Sequence, residues 1–209
     1  MSIPRRRFVV GSAVLFGSRD ASPSEDAGDL VARVGRARAK VRTLQGPFEQ
    51  TRTIGLMTTE VRSRGTLVLV RPDRLRWALA PPDDVTFWVG PEGLAFKSAH
   101  GQGSLRSANP GLGAELEDLR TLLGGDLANL RERWDLRVNR DDASGAEIEA
   151  TPRAVAGARL RRLRFSLGPD LARPTRALLV EGPRDHTLIE FGTLVVDATV
   201  DDALMRPPM

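Results

Sequence analysis

The feature that most constrains this chain is a period-two alternation that recurs in short segments along most of its length. Arg74 to Ala80 shows it most cleanly: Leu75, Trp77 and Leu79 fall on one face, and Arg74 and Arg76 on the other. Successive side chains of a strand point to opposite faces, so this segment reads as a strand with one face buried. The same reading covers Phe48–Ile54, Val61–Val70, Val85–Val89 and Leu94–Lys97. These are divided by Arg71-Pro72-Asp73, Pro81-Pro82-Asp83 and Gly90-Pro91-Glu92-Gly93. Gly65 stands inside the second segment as a candidate bulge. Short strands joined by tight turns form an antiparallel meander. Strands resume at Trp134–Asn139, Glu147–Thr151, Leu160–Leu167, Thr175–Glu181, Thr187–Phe191 and Thr193–Val200.

Two stretches carry helical spacing instead. In residues 26–44, Leu30, Val34, Ala37, Val41 and Leu44 recur at intervals of three and four, with Gly46-Pro47 as the stop. Residues 114–131 carry Leu116, Leu119, Leu122 and Leu123, are broken at Gly124-Gly125, and continue through Leu127 and Leu130. Ala99 to Gly113 is polar and reads as a loop. The order is therefore helix, five strands, helix, six strands. It predicts an α+β, mainly β fold: a single curved antiparallel sheet of about eleven strands, an incomplete half-barrel with helices covering its concave face. Two separate small domains would each bury too little surface.

The N-terminus has the layout of an export signal. Arg5-Arg6-Arg7 precede an apolar run from Phe8 to Gly17, too short to cross the roughly 30 Å hydrocarbon core as a helix. Arg5-Arg6-Arg7-Phe8-Val9 also reads as a loose twin-arginine signal. The expected division is a signal peptide at 1–21, a linker at 22–26 and one domain at 27–209. The formal charge of +4 is concentrated in the signal. Beyond residue 21 the basic and acidic side chains number 27 and 26, so the domain lacks the basic stripe that nucleic acid requires. With no cysteine, disulfides, thiolate metal sites and a lipid-modified N-terminal Cys are excluded.

Few residues stand in a pattern that carries chemistry. His100 lies in the glycine-rich loop and His186 in an Asp185-His186 turn, neither with carboxylates at metal-ligand spacing. No nucleophile elbow, P-loop or dinucleotide fingerprint is present. The expectation is no enzyme, no metal and no cofactor. A hydrolase assembled from scattered residues would have to use His100 or His186. The distinctive content is instead apolar: Phe48, Leu67, Leu69, Leu75, Trp77, Leu79, Phe87, Phe96, Phe165 and Phe191 are candidates to line the inside of a curved sheet, as a cavity or as ordinary core.

The order of motifs resembles the LolA-like family of outer-membrane lipoprotein carriers over roughly residues 27–200. Leu44-Gln45-Gly46-Pro47-Phe48-Glu49-Gln50 is similar to the family's helix followed by Phe-x-Gln on its first strand. Gly65-Thr66-Leu67 through Arg71-Pro72 to Trp77 is similar to its Gly-x-Leu, Arg-Pro and Trp run. Pro82-Asp83-Asp84, the Gly90-to-Phe96 segment and Asp185 to Val200 follow in the family's order.

The resemblance implies a monomeric periplasmic carrier. Such a protein takes acylated lipoproteins from an ATP-driven lipoprotein-release transporter of the inner membrane. It shields their acyl chains in the half-barrel and passes them to an outer-membrane acceptor. It also implies a lid that closes over the empty cavity, pinned by the arginine of the Arg-Pro turn, here Arg71. The segments Thr51–Met57 and Leu122–Asp126 look closer to relatives that accompany lipid or pigment export. The alternatives are thus a carrier of another amphiphile, such as a glycolipid or aryl-polyene lipid, or a regulatory module that senses lipoproteins.

Overall fold

The computed structural model describes residues 23–55, 59–91, 93–104, 119–124, 127–153 and 160–208. The expected signal at 1–21, Leu116 and the part of the expected loop from 105 to 113 lie outside them. The described chain is built on one antiparallel sheet that does not close. Strand β1 is Thr43–Ile54, β2 Thr59–Val70, β3 Arg74–Leu79, β4 Val85–Gly90, β5 Gly93–Ser98 and β6 Gly101–Ser104. A second meander follows: β7 Trp134–Asp142, β8 Gly145–Pro152, β9 Arg162–Leu167, β10 Pro174–Val180, β11 His186–Phe191 and the two-residue β12 Val195–Val196. Helix α1 is Pro23–Arg38 and α2 is Leu127–Arg133, with residues 119–123 also helical.

The two meanders join through β1. Its twelve residues pair with β2 on one side, from Thr43 opposite Val70 to Ile54 opposite Thr59. On the other side they pair with β11, Phe48 opposite Phe191, and then with β12. The spatial order runs from β6 at one edge through β1 and β11 to β7 at the other. Because register is held across every pair, the inward residues form rows. One row reads Phe96, Phe87, Trp77 and Leu67; another reads Ile189, Ala177, Phe165 and Ile148. The core occupies this inner face together with Leu30, Val31 and Val34 of α1, Leu119, Leu122 and Leu123, and Leu127 and Leu130 of α2.

Several expectations need correction. Pro23 to Asp26 are helical rather than linker. At the other end α1 stops at Arg38, and Leu44 lies on β1, fully buried opposite Leu69. The spacing from Val41 to Leu44 fits a helix, but Leu44, Gly46 and Phe48 equally fit a strand. Asp197 decides between them by accepting from the Arg42 and Thr43 amides at the start of β1. Gly65 is not a bulge, since the β1–β2 register runs through it unbroken. It is a close-approach site: a Cβ there would stand 2.1 Å from the Ala78 carbonyl oxygen and 2.7 Å from the Phe48 ring. Residues 101–104, read as loop, form edge strand β6, where Gly101 and Gly103 disguise the strand pattern. The strand expected over Thr193–Val200 shrinks to β12. The chain then crosses to the convex face, where Met205 is buried and the Trp88 Nε1–H donates to the Leu204 carbonyl at 2.8 Å.

Candidate functional site

All ten candidate cavity residues lie on the inner face of the sheet, but they divide into two groups. Phe48, Leu67, Leu69, Leu75, Trp77 and Phe165 are buried to 3% exposure or less, and serve as core. Phe48 stacks on Trp77 with ring centroids 3.7 Å apart, and Phe191 meets Trp77 edge-on at 6.3 Å. The Phe48 ring covers the space that Gly65 leaves on the neighbouring strand, and so brings the two rings together. Leu79, Phe87, Phe96 and Phe191 are partly buried and pack against the core.

Beyond this stack the inner face opens into a cavity of about 290 Å³. Trp77, Leu79 and Phe87 line it, with Val61, Leu179, Ile189 and Leu119. The other seven candidates are not among its lining residues. Gln50, Arg52, Ser63, Asp83 and Thr187 complete the wall. Arg52 forms an ion pair with Glu181 at 3.5 Å. Gln50, Arg52, Ser63 and Thr187 were missed in the sequence because a polar residue in an alternating strand reads as outward-facing, and Asp83 because it lies in a turn. Register gives the signal that finds them: Gln50 and Arg52 share the parity of the inward Phe48.

The helical segment 119–123 covers part of the inner face. Leu119 reaches the cavity, and Gly124 lies so close to Leu69 that a Cβ there would be 2.6 Å from its Cδ1. The end of this segment is fastened by arginines. Arg71 Nη1 donates to the Gly124 carbonyl at 2.5 Å and Nη2 to the Leu123 carbonyl at 3.3 Å. Arg38, buried at the end of α1, donates to the Leu122 carbonyl. Arg120 donates back to the Asp73 carbonyl at 3.4 Å. The last carbonyls of a helix lack partners within it and carry partial negative charge, so guanidinium groups suit them. Burial lowers the Arg71 pKa from its ordinary value, and its Nε is buried without an acceptor among the described residues.

Neither histidine sits at this cavity. His100 occupies an exposed turn, where its amide donates to Ser98 Oγ at 3.2 Å, and His186 begins β11. Among the described residues no group of three or more His, Cys, Asp or Glu is placed to hold a metal ion. No helix among them is long and apolar enough to cross a membrane.

Comparison with known proteins agrees with this geometry. The family model "Outer membrane lipoprotein carrier protein LolA" matches residues 39–207. Among solved structures, a DUF1329 family protein from Desulfovibrio piger superposes with a TM-score of 0.52 at 11% identity, covering 89% of this chain and 98% of that one. MucB superposes with a TM-score of 0.51 at 17% identity over 88% of this chain; the chain spans 64% of MucB. A LolA superfamily protein from Nitrosomonas europaea gives 0.48 at 9% identity, covering 86% of this chain and 97% of that one. No curated protein sequence matches significantly. At these identities the two superpositions above a TM-score of 0.5 speak to fold alone, whereas the family model covers most of the sequence. The chain belongs to the LolA outer membrane lipoprotein carrier protein family.

Proposed function

We propose that this protein is a periplasmic carrier that shields the acyl chains of lipoproteins and delivers them from the inner to the outer membrane. Its family consists of binding and carrier proteins rather than enzymes. The observation that carries the reading is the fastening of segment 119–123. This segment covers an aromatic-lined inner face, yet its end is tied by arginine-to-carbonyl hydrogen bonds from Arg38 and Arg71.

Burying acyl chain is worth about 0.8 kcal/mol per CH₂, so a permanently open apolar groove would hold its cargo too tightly to release it. A cover that refills the groove competes with the cargo and weakens net binding. Each arginine bond contributes only about 1 kcal/mol net, or somewhat more for a charged donor, because water replaces it on opening. The cover is thus exchangeable. In this reading residues 1–21 direct export, and the exchange partners are an ATP-driven inner-membrane transporter and an outer-membrane acceptor.

The cavity of about 290 Å³ lies at the small end of ligand sites, which run from roughly 300 to 1,000 Å³. That size favours, as a second reading, a smaller amphiphile that needs little displacement of the cover. Native mass spectrometry with lipid analysis, on protein purified from its own periplasm, separates the two. A bound triacylated Cys peptide or whole lipoprotein supports the first reading, and another bound lipid the second. A protein that stays empty when offered lipoprotein in detergent refutes both.

A further inference from the structure

The cavity wall is not uniformly apolar, and its polar side chains are contiguous. Gln50 of β1 lies directly opposite Ser63 of β2, and Arg52 of β1 directly opposite Thr187 of β11. Residues 50 and 52 are inward neighbours on one strand, so the four form one patch beside Trp77, Leu79 and Ile189. All four are half-buried. The side chains of Gln50, Ser63 and Thr187 form no hydrogen bond with another described residue. Polar groups facing an apolar cavity without partners are the usual means by which such sites orient a ligand.

We infer that Gln50, Ser63, Arg52 and Thr187 form a subsite for the neutral ester or amide carbonyls at the head of an acyl chain. The inference rests on the carrier reading and names the group that the cavity recognises. An acyl chain that enters toward Trp77 and Phe87 brings its carbonyl out of water, and that oxygen needs donors. The patch supplies the two amide hydrogens of Gln50 and the two hydroxyls of Ser63 and Thr187. The charge balance selects a neutral group. Glu181 pairs with Arg52 at 3.5 Å, and Asp83 is among the residues that line the cavity. The free carboxylate of a fatty acid would therefore meet one acid at the wall and a guanidinium that is already paired. An ester or amide carries the same acceptor without the charge.

The test compares three probes of equal chain length on the signal-free chain: a 1-monoacylglycerol, its 1-O-alkyl ether and the matching fatty acid. Binding is followed by native mass spectrometry and by tryptophan fluorescence, to which Trp77 at the cavity wall responds. The expected result is an ester bound roughly fivefold more tightly than the ether for each hydrogen bond made, with the fatty acid weaker than the ester at neutral pH. Ser63→Ala and Gln50→Leu each narrow the ratio of ester to ether. Ser63→Ala removes one oxygen and preserves the fold if Gln50→Leu does not. Equal affinity for ester and ether in the parent protein, or a ratio unchanged in both variants, overturns the subsite and leaves the carrier reading standing. Failure of all three probes and of acylated lipoprotein to bind defeats the carrier reading and the subsite together.

Discussion

The two meanders of the sheet carry the same inward apolar alternation but are covered in different ways. In the C-terminal meander, Ala146, Ile148, Ala150, Leu163, Phe165 and Leu167 are all 2% exposed or less. Helix α1 packs against β7 of this meander, brings Leu30 and Val34 into the core, and is tied to it by Arg33 and Asp141 at 2.6 Å. In the N-terminal meander, Leu79, Phe87 and Phe96 remain partly exposed, and the cover is the short segment ending in arginine-bound carbonyls. Apolar packing has no substitute partner when it separates, whereas water replaces a hydrogen bond. On the proposed carrier reading, the half under α1 is the scaffold and the half under the arginine-fastened segment is the one that opens, although Leu119, Leu122 and Leu123 of that segment also pack into the core.

The sharpest way to break this comparison is to truncate one residue in each half. Leu163→Ala, in the scaffold, is expected to cost about 3 kcal/mol by urea unfolding, within the range for buried leucines. Leu79→Ala, at the cavity, should cost about 1 kcal/mol, because its side chain faces open space and leaves little new void. Equal losses would show that the cavity half is as tightly packed as the scaffold.

Gly65→Ala should cost about 2 kcal/mol in the same assay, because the new methyl group meets a backbone carbonyl that cannot move aside. It should also disturb the Phe48–Trp77 stack, visible as a change in tryptophan emission.

Arg71→Leu sharpens the comparison without unfolding the protein. Amide exchange of residues 119–123 should speed up by roughly tenfold, while α1 exchanges as before. With the cover unpinned, cargo should be accepted but not handed on in a transfer assay. Unchanged exchange and transfer would remove Arg71 from the mechanism.

The smallest effect concerns the convex side of the scaffold. The Arg164 hydrogen bond at 2.7 Å holds the Glu149 carboxyl below its ordinary pKa of 4.5, chiefly by that bond. A depressed carboxylate pKa means stability that is present above the unfolded value and lost as pH falls through the folded one. Glu149→Gln should therefore lower stability by under about 1 kcal/mol at pH 7, with the difference vanishing in acid below the folded pKa. A difference that persisted there would mean that packing, not charge, was lost.

Much of the architecture was legible because local pattern and global fold agree. The alternation of Leu75, Trp77 and Leu79 with Arg74 and Arg76 specifies both a strand and which of its faces is buried, whatever surrounds it. The turns at Arg71-Pro72 and Pro81-Pro82 fall between strands as proline's missing N–H suggests, although Pro47 sits within β1 opposite Thr66. Where two periods coincide, as at Leu44, pattern fails and pairing decides. Where glycine hides the pattern, as in β6, only the neighbouring strand reveals the structure.

The site was legible in part. The sequence by itself determined most of the strands, their apolar faces, and an arginine in the turn before β3. Tertiary structure alone decided that Phe48 closes over Gly65 onto Trp77, leaving three of the ten inward residues on the cavity wall. It also decided that Gln50, Arg52, Ser63 and Thr187 meet there, and that the Arg71 guanidinium reaches carbonyls 52 and 53 residues away. The reason is physical: alternation is a property of one strand, whereas a cavity is the space that several strands and their cover fail to fill.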